Sequence, residues 1–220
     1  MMEAKSNRSI WPGLDEELAL VGQGYHLVAG VDEAGRGAWA GPVYAAAVIL
    51  PLERRDLRDV LKGVADSKQL SPQRRETLLK VILDVALSVG VGSASVNEID
   101  ELGILPATRL AMGRAIDGLA PPPEVLLLDY VQLPEVVLPQ RSLPKADESC
   151  LSVAAASIVA KVSRDEWMVK LHKDYPGYEF ARHKGYGTAA HRSALARLGP
   201  SSVHRMSWAP LRSLSREHAT

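Results

Sequence analysis

The run His26-Leu27-Val28-Ala29-Gly30-Val31-Asp32-Glu33-Ala34-Gly35-Arg36-Gly37 decides how this chain is read. Its first half is short and apolar, as a buried strand should be, and it stops abruptly at two adjacent carboxylates. Leu27 to Val31 is therefore expected to be a strand that presents Asp32 and Glu33 at its end. A buried carboxylate pair is costly unless a positive group meets it. Two partners are possible: a hard divalent cation, which prefers oxygen ligands, or a structural salt bridge. Gly35-Arg36-Gly37 follows at once, either as a plain tight turn or as a loop whose glycines let backbone groups approach a ligand closely.

Two later acids bear on the same choice. Glu124-Val125-Leu126-Leu127-Leu128-Asp129 repeats the apolar run closed by an Asp, so Asp129 is either a second strand-end ligand or a turn residue. Asp147, in Lys145-Ala146-Asp147-Glu148-Ser149, precedes the run Leu151 to Lys161, whose small apolar residues suit a closely packed helix. Asp is a favoured helix cap, so Asp147 is a cap or a third carboxylate for the same ion. Lys68 in Asp66-Ser67-Lys68, and Lys161, read locally as ordinary surface lysines. Tyr186, between Gly185 and Gly187, reads either as an exposed stacking ring or as the anchor of a turn.

Taken together, Val31 to Gly37, Asp66-Ser67-Lys68 with Leu70, Ser152 to Val162, Arg164-Asp165, His183-Lys184-Gly185-Tyr186-Gly187-Thr188 and His204-Arg205-Met206-Ser207-Trp208-Ala209-Pro210 resemble bacterial type 2 ribonuclease H, ribonuclease HII. The likeness runs from about residue 27 to 212, in the family's order, with Trp208 where Phe is usual and Tyr130 where Gly usually follows the Asp. It implies an α/β fold, a ribonuclease H-like mixed five-stranded sheet flanked by helices, with a helical C-terminal extension. It also implies cleavage of RNA paired with DNA, and of duplex DNA 5′ of an embedded ribonucleotide, using Mg²⁺ or Mn²⁺, two ions per site. By this resemblance the ligands are Asp32, Glu33, Asp129 and Asp147; Gly35, Arg36 and Gly37 read the RNA/DNA junction; Lys68 and Lys161 meet phosphates; and Tyr186 packs at the junction. A noncatalytic nucleic-acid-binding module of the same fold is the alternative, and loss of an acid would mark it. All four acids are present. A type 3 enzyme is disfavoured by the roughly 26 residues before the first strand.

Composition fits this picture. The 220 residues are 46% hydrophobic with a single Phe, so Leu, Val and Ala must fill the core. The expected division is an extension at 1–26, a catalytic domain at 27–212 and a tail at 213–220. Net charge is zero, yet residues 161–220 hold 11 Lys and Arg against 5 Asp and Glu, which leaves 15 against 21 before them. An acidic portion with the candidate ligands is followed by a basic one suited to phosphates. A solvated basic helix pair would give the same count. The lone Cys150 excludes an intramolecular disulfide and, in its apolar setting, reads as an inert core thiol. The longest apolar stretch, Ala38 to Leu50, is broken by Gly41-Pro42 and is too short to span a bilayer. A cytoplasmic monomer with no membrane contact is the expectation. His183, His191 and His204 lack metal-ligand spacing and read as hydrogen-bonding residues. There is no GxxxxGK[ST] phosphate loop.

Turn and capping signals place the remaining elements. Strands are expected at Val43 to Leu50, Val89 to Val96, Val125 to Asp129 and, more weakly, Val136 to Leu138. Ser71-Pro72 opens a helix to about Ser88; Asn97 caps a short helix before Pro106; further helices run Ala107 to Leu119, Ser149 to His172, and from a Thr188 cap to Gly199-Pro200.

Overall fold

The computed structural model describes residues 11–212, so the tail at 213–220 and the first ten residues lie outside the described part. In chain order the elements are α1 (Asp15–Val21), β1 (Val28–Ala34), β2 (Val43–Ile49), α2 (Leu57–Val60), α3 (Pro72–Val85), β3 (Ser88–Ala94), α4 (Val96–Leu102), α5 (Ile104–Asp117), β4 (Val125–Asp129), β5 (Gln140–Leu143), α6 (Ala146–Ser149), α7 (Leu151–Asp174), α8 (Phe180–His183) and α9 (Ala189–Leu198).

The strands form one mixed sheet in the order β3-β2-β1-β4-β5. β1 to β3 make an antiparallel meander, while β4 and β5 run parallel to β1. Strand alternation then sorts the core. Ala46 and Val48 of β2, with Leu50 just beyond it, face α3 and α7; Ala45, Ala47 and Ile49 face Ala107, Ala111, Met112 and Ala115 of α5. The small residues of α7, Ala154, Ala155, Ala156 and Ala160, are fully buried and let this 24-residue helix lie close to the sheet. Gly30 makes the approach possible, because a Cβ there would collide with the Ser152–Val153 peptide. A third cluster, built on Met168, Leu171, Tyr178, Phe180 and Leu195, holds the C-terminal helices against α7. No helix among the described residues is long and apolar enough to cross a membrane.

Local signals place most elements. Ser71 and Thr188 cap α3 and α9 through their side chains, as their positions before Pro72 and Ala189 imply. α4 starts two residues earlier than expected, because Ser95 and Glu98 form a reciprocal capping box and Asn97 falls inside the helix. α5 begins at Ile104 and takes Pro106 into its first turn, where no amide is needed for the helix. The weak strand at Val136 to Leu138 is absent; the edge strand is Gln140–Leu143. The Gln140 amide donates to the carbonyls of Leu133 (2.7 Å) and Val136 (3.0 Å), holding that apolar segment as a loop packed on the core. β1 continues through Ala34, so Asp32 and Glu33 belong to the strand.

Residues 11–26 are tied to this body. Gly13 exchanges backbone hydrogen bonds with Ser149 and Leu151, and Glu17 of α1, fully buried, accepts from the Ser152 amide and hydroxyl at 2.8 Å. A carboxylate from another helix thus satisfies an orphan amide in the first turn of α7. Burial raises its pKa.

Candidate active site

The parallel register pairs Val31 with Leu128, so the next residue on each strand is an acid: Asp32 on β1, Asp129 on β4. Asp129 accepts the Ala146 amide at 2.9 Å, which fixes the start of α6 and sets Asp147 beside the strand ends. The caps of α6 and α7 are Lys145 and Cys150, so Asp147 is not a helix cap. It is buried among other acids. Asp32 is buried too and, among the described residues, accepts only the neighbouring Glu33 amide, at 2.7 Å. Among the described residues, Glu33 forms the one salt bridge of this pair, 3.1 Å to Arg36, while its Oε2 is buried with no partner.

The four carboxylates load one another electrostatically. Burial, then the charges of Glu33, Asp147 and Asp129, hold Asp32 well above the usual carboxylate range. Burial also raises Glu33, against the pull of Arg36. Asp147 is pushed up to about 6 by burial and by Asp129 and Asp66. The nearest relief is Lys68, whose ammonium lies 3.7 Å from Asp147 and 3.9 Å from Asp66 while 75% of its side chain stays exposed. As they stand, no three of these groups among the described residues converge on a single point in metal-ligating geometry. The donor set nevertheless fits a hard divalent cation: all oxygen, excess negative charge, raised proton affinity at Asp32, Glu33 and Asp147, and one orphaned buried oxygen on Glu33.

Beside the acids stand two loops. Gly35 has φ 93° and follows β1 directly. The carbonyls of Gly35 and Arg36 are both taken at 2.8 Å by Arg205, while the amides of Arg36 and Gly37 have no protein acceptor among the described residues. The second loop carries Tyr186, 36% exposed, with the Arg164 guanidinium 5.4 Å and the Lys161 ammonium 5.8 Å from its ring centre. Trp39 joins the loops by donating its amide to the Gly185 carbonyl at 2.8 Å. Lys161 is held by Asp165 at 2.6 Å and is mostly buried, which lowers its pKa.

A family model described as ribonuclease HII matches residues 29–211. The chain belongs to the ribonuclease HII family. The ribonuclease HII of Roseiflexus castenholzii is 54% identical over 200 residues, covering 91% of this chain and 89% of that protein. The ribonuclease HII of Thermus thermophilus is 54% identical over 185 residues, 84% of this chain and 87% of that one. Among solved structures, the ribonuclease H2 of Pyrococcus horikoshii superimposes with a TM-score of 0.74 at 28% identity, covering 88% of this chain and 99% of that chain. As a ribonuclease HII the protein is a metal-dependent endoribonuclease acting on RNA/DNA hybrids.

Two hydrogen-bonded networks complete this ribonuclease HII site: a pair of arginines signalled only by their places in Arg164-Asp165 and His204-Arg205, and the three histidines, which are hydrogen-bonding residues as expected. Arg164 and Arg205 are fully buried and, among the described residues, form no salt bridge with a carboxylate. Arg164 donates to the carbonyls of Pro42, Lys184 and Ala40, and Arg205 to those of Gly41, Arg36 and Gly35, so two guanidiniums bind both loops through backbone oxygens. The histidines form the second network. His183 accepts the Gly185 amide and donates to the Tyr178 carbonyl; His191 donates to the Tyr186 carbonyl and accepts from His204, 3.1 Å away; His204 accepts from the Ser201 amide. These partners fix all three imidazoles as neutral. Burial lowers His191 and His204 to about 4. Asp66 also joins the acids, a role signalled only by its place in Asp66-Ser67-Lys68. Cys150 is buried, its thiol pushed up to about 12 by burial, as an inert core thiol requires.

Proposed function

We propose that this ribonuclease HII cuts the RNA strand of RNA/DNA hybrids, and cuts duplex DNA on the 5′ side of an embedded ribonucleotide, leaving 3′-hydroxyl and 5′-phosphate ends. The observation that carries this reading is the gathering of Asp32, Glu33, Asp129 and Asp147 beside a loop with free amides. The four acids would hold two divalent cations, Mg²⁺ or Mn²⁺. When bound, such a pair supplies an activated water and stabilises charge on the leaving oxygen.

The chain's own residues do the rest. The amides of Arg36 and Gly37 donate to the ribose 2′-hydroxyl in the minor groove. Tyr186, braced by Arg164, packs on the deoxy sugar that follows the ribonucleotide. Lys68, exposed at the rim, meets a phosphate beside the cut; Lys161 reaches one on exchanging Asp165 for it. Base edges are not read. The protein acts as a monomer in the cytoplasm.

The test is cleavage of a labelled duplex carrying one ribonucleotide, with Mg²⁺, with Mn²⁺ and with chelator. A single cut 5′ of the ribonucleotide that chelator abolishes is the expected result. Cleavage unaffected by chelator contradicts the assignment of the acids.

A further inference from the structure

Tyr130 is unexplained by anything above. It follows Asp129 directly, adopts φ 59°, and leaves 75% of its surface exposed. Its amide donates to the Leu143 carbonyl at 3.1 Å, so β4–β5 pairing fixes the backbone. No aromatic, cationic or side-chain hydrogen-bonding partner holds its ring among the described residues. A left-handed position favours glycine, and a large ring in water gains nothing from burial. Two unfavourable choices therefore coincide one residue from a candidate ligand, where strain often serves a ligand.

The sheet order says where this ring stands. β1 is central; its exit toward β2 carries Gly35 to Ala40 and, against them, the Tyr186 loop. β4 and β5 lie on the other side of β1. Asp32 and Asp129 are neighbours at the same ends of parallel strands, so Tyr186 and Tyr130 flank the acids from opposite sides.

We propose that Tyr130 is a second substrate-contacting aromatic in this chain, stacking on a nucleotide of the cleaved strand on the 5′ side of the scissile phosphate, opposite Tyr186. This rests on the reading that the strand crosses the four acids at a ribonucleotide. The contact is indifferent to base identity, since every base offers a face to a ring. It extends recognition to the half of the strand that the junction-reading loops do not reach.

The test compares Tyr130→Gly, Tyr130→Phe and the wild type on a duplex with one ribonucleotide. Glycine suits φ 59°, so a folding failure does not obscure the result; a thermal melt checks it. Tyr130→Gly is expected to raise KM about tenfold with kcat within about twofold, and Tyr130→Phe to keep the wild-type KM. Single abasic lesions placed along the 5′ flank locate the contact. One lesion should weaken the wild type severalfold and leave Tyr130→Gly unaffected. An unchanged KM in Tyr130→Gly, or lesions that cost both proteins equally, overturns the proposal. If the wild type cuts at the ribonucleotide and Tyr130→Gly matches it, the Tyr130 contact alone falls. If the wild type does not cut there, the underlying reading falls and the contact with it.

Discussion

Gly35 and Arg164 occupy neighbouring space so tightly that a Cβ at Gly35 would overlap the side-chain Cδ and the guanidinium Nε and Cζ of Arg164. Arg164 cannot swing aside, because three carbonyls hold it. Gly35→Ala meets that overlap and a φ of 93° at once. The substitution should destabilise the fold by about 2–5 kcal/mol and abolish cleavage of a single embedded ribonucleotide. Denaturant unfolding and a cleavage assay at low temperature check the two parts separately. An active, equally stable Gly35→Ala would remove the reason for glycine here.

Asp32→Asn and Asp129→Asn should behave unlike ordinary core mutants. Each removes one like charge from a crowded cluster, so the metal-free melting temperature should hold or rise while cleavage falls by several orders of magnitude. A thermal melt in chelator beside an activity assay decides. Full activity in either variant sinks the assignment of the acids as ligands.

The pH dependence follows from Asp147. Its folded pKa of about 6 lies above the unfolded 3.8, so the folded state keeps the proton longer. This group's contribution to metal-free stability is therefore present at low pH and lost as pH rises from about 4 through 6. A divalent cation competes with that proton. The rise in melting temperature on adding Mn²⁺ should be small at pH 5 and larger at pH 8, with cleavage rising through pH 6. Equal stabilisation at both pH values would contradict the coupling.

His191 and His204 act with the opposite sign. Their folded pKa of about 4 lies below the unfolded 6.5, so their contribution is fully present above about 6.5 and lost as pH falls toward 4. Of the groups around them, His183 works against a second charge, while the carbonyls of Tyr186 and Gly185 favour it. Nitrogen-detected NMR should show two imidazoles still neutral at pH 5.5. Their titration near 6.5 in the folded protein would mean the pair is hydrated and does not hold the Tyr186 loop.

The strand ends, the Ser71 and Thr188 caps and the long α7 were legible in the sequence because each has a local cause: an apolar run closed by an acid, a side-chain oxygen before a helix, a run of small residues. Asp32 and Asp129 could be named, though only parallel pairing of β1 with β4 makes them neighbours. The edge strand was misplaced because Val136 and Leu138 pack half-buried against the core as a loop, while β5 itself is largely polar, as a sheet edge tolerates. The pairings of Arg164, Arg205 and Glu17 were silent for a different reason. Their partners, backbone groups save for the Ser152 hydroxyl, lie more than a hundred residues away, except for the Lys184 carbonyl, and no local pattern encodes such a pairing. Tyr130 keeps the left-handed geometry that glycine would give at that strand end.

The chemistry of the cut ends tests the central claim most directly. If water is the nucleophile and Asp32, Glu33, Asp129 and Asp147 hold the ions that activate it, the 2′-hydroxyl is only recognised, never used for attack. Mass spectrometry of the products from a duplex with one ribonucleotide should then show a 3′-hydroxyl on the upstream fragment and a 5′-phosphate on the ribonucleotide. A 2′,3′-cyclic phosphate, or a cut on the 3′ side of the ribonucleotide, would contradict the account.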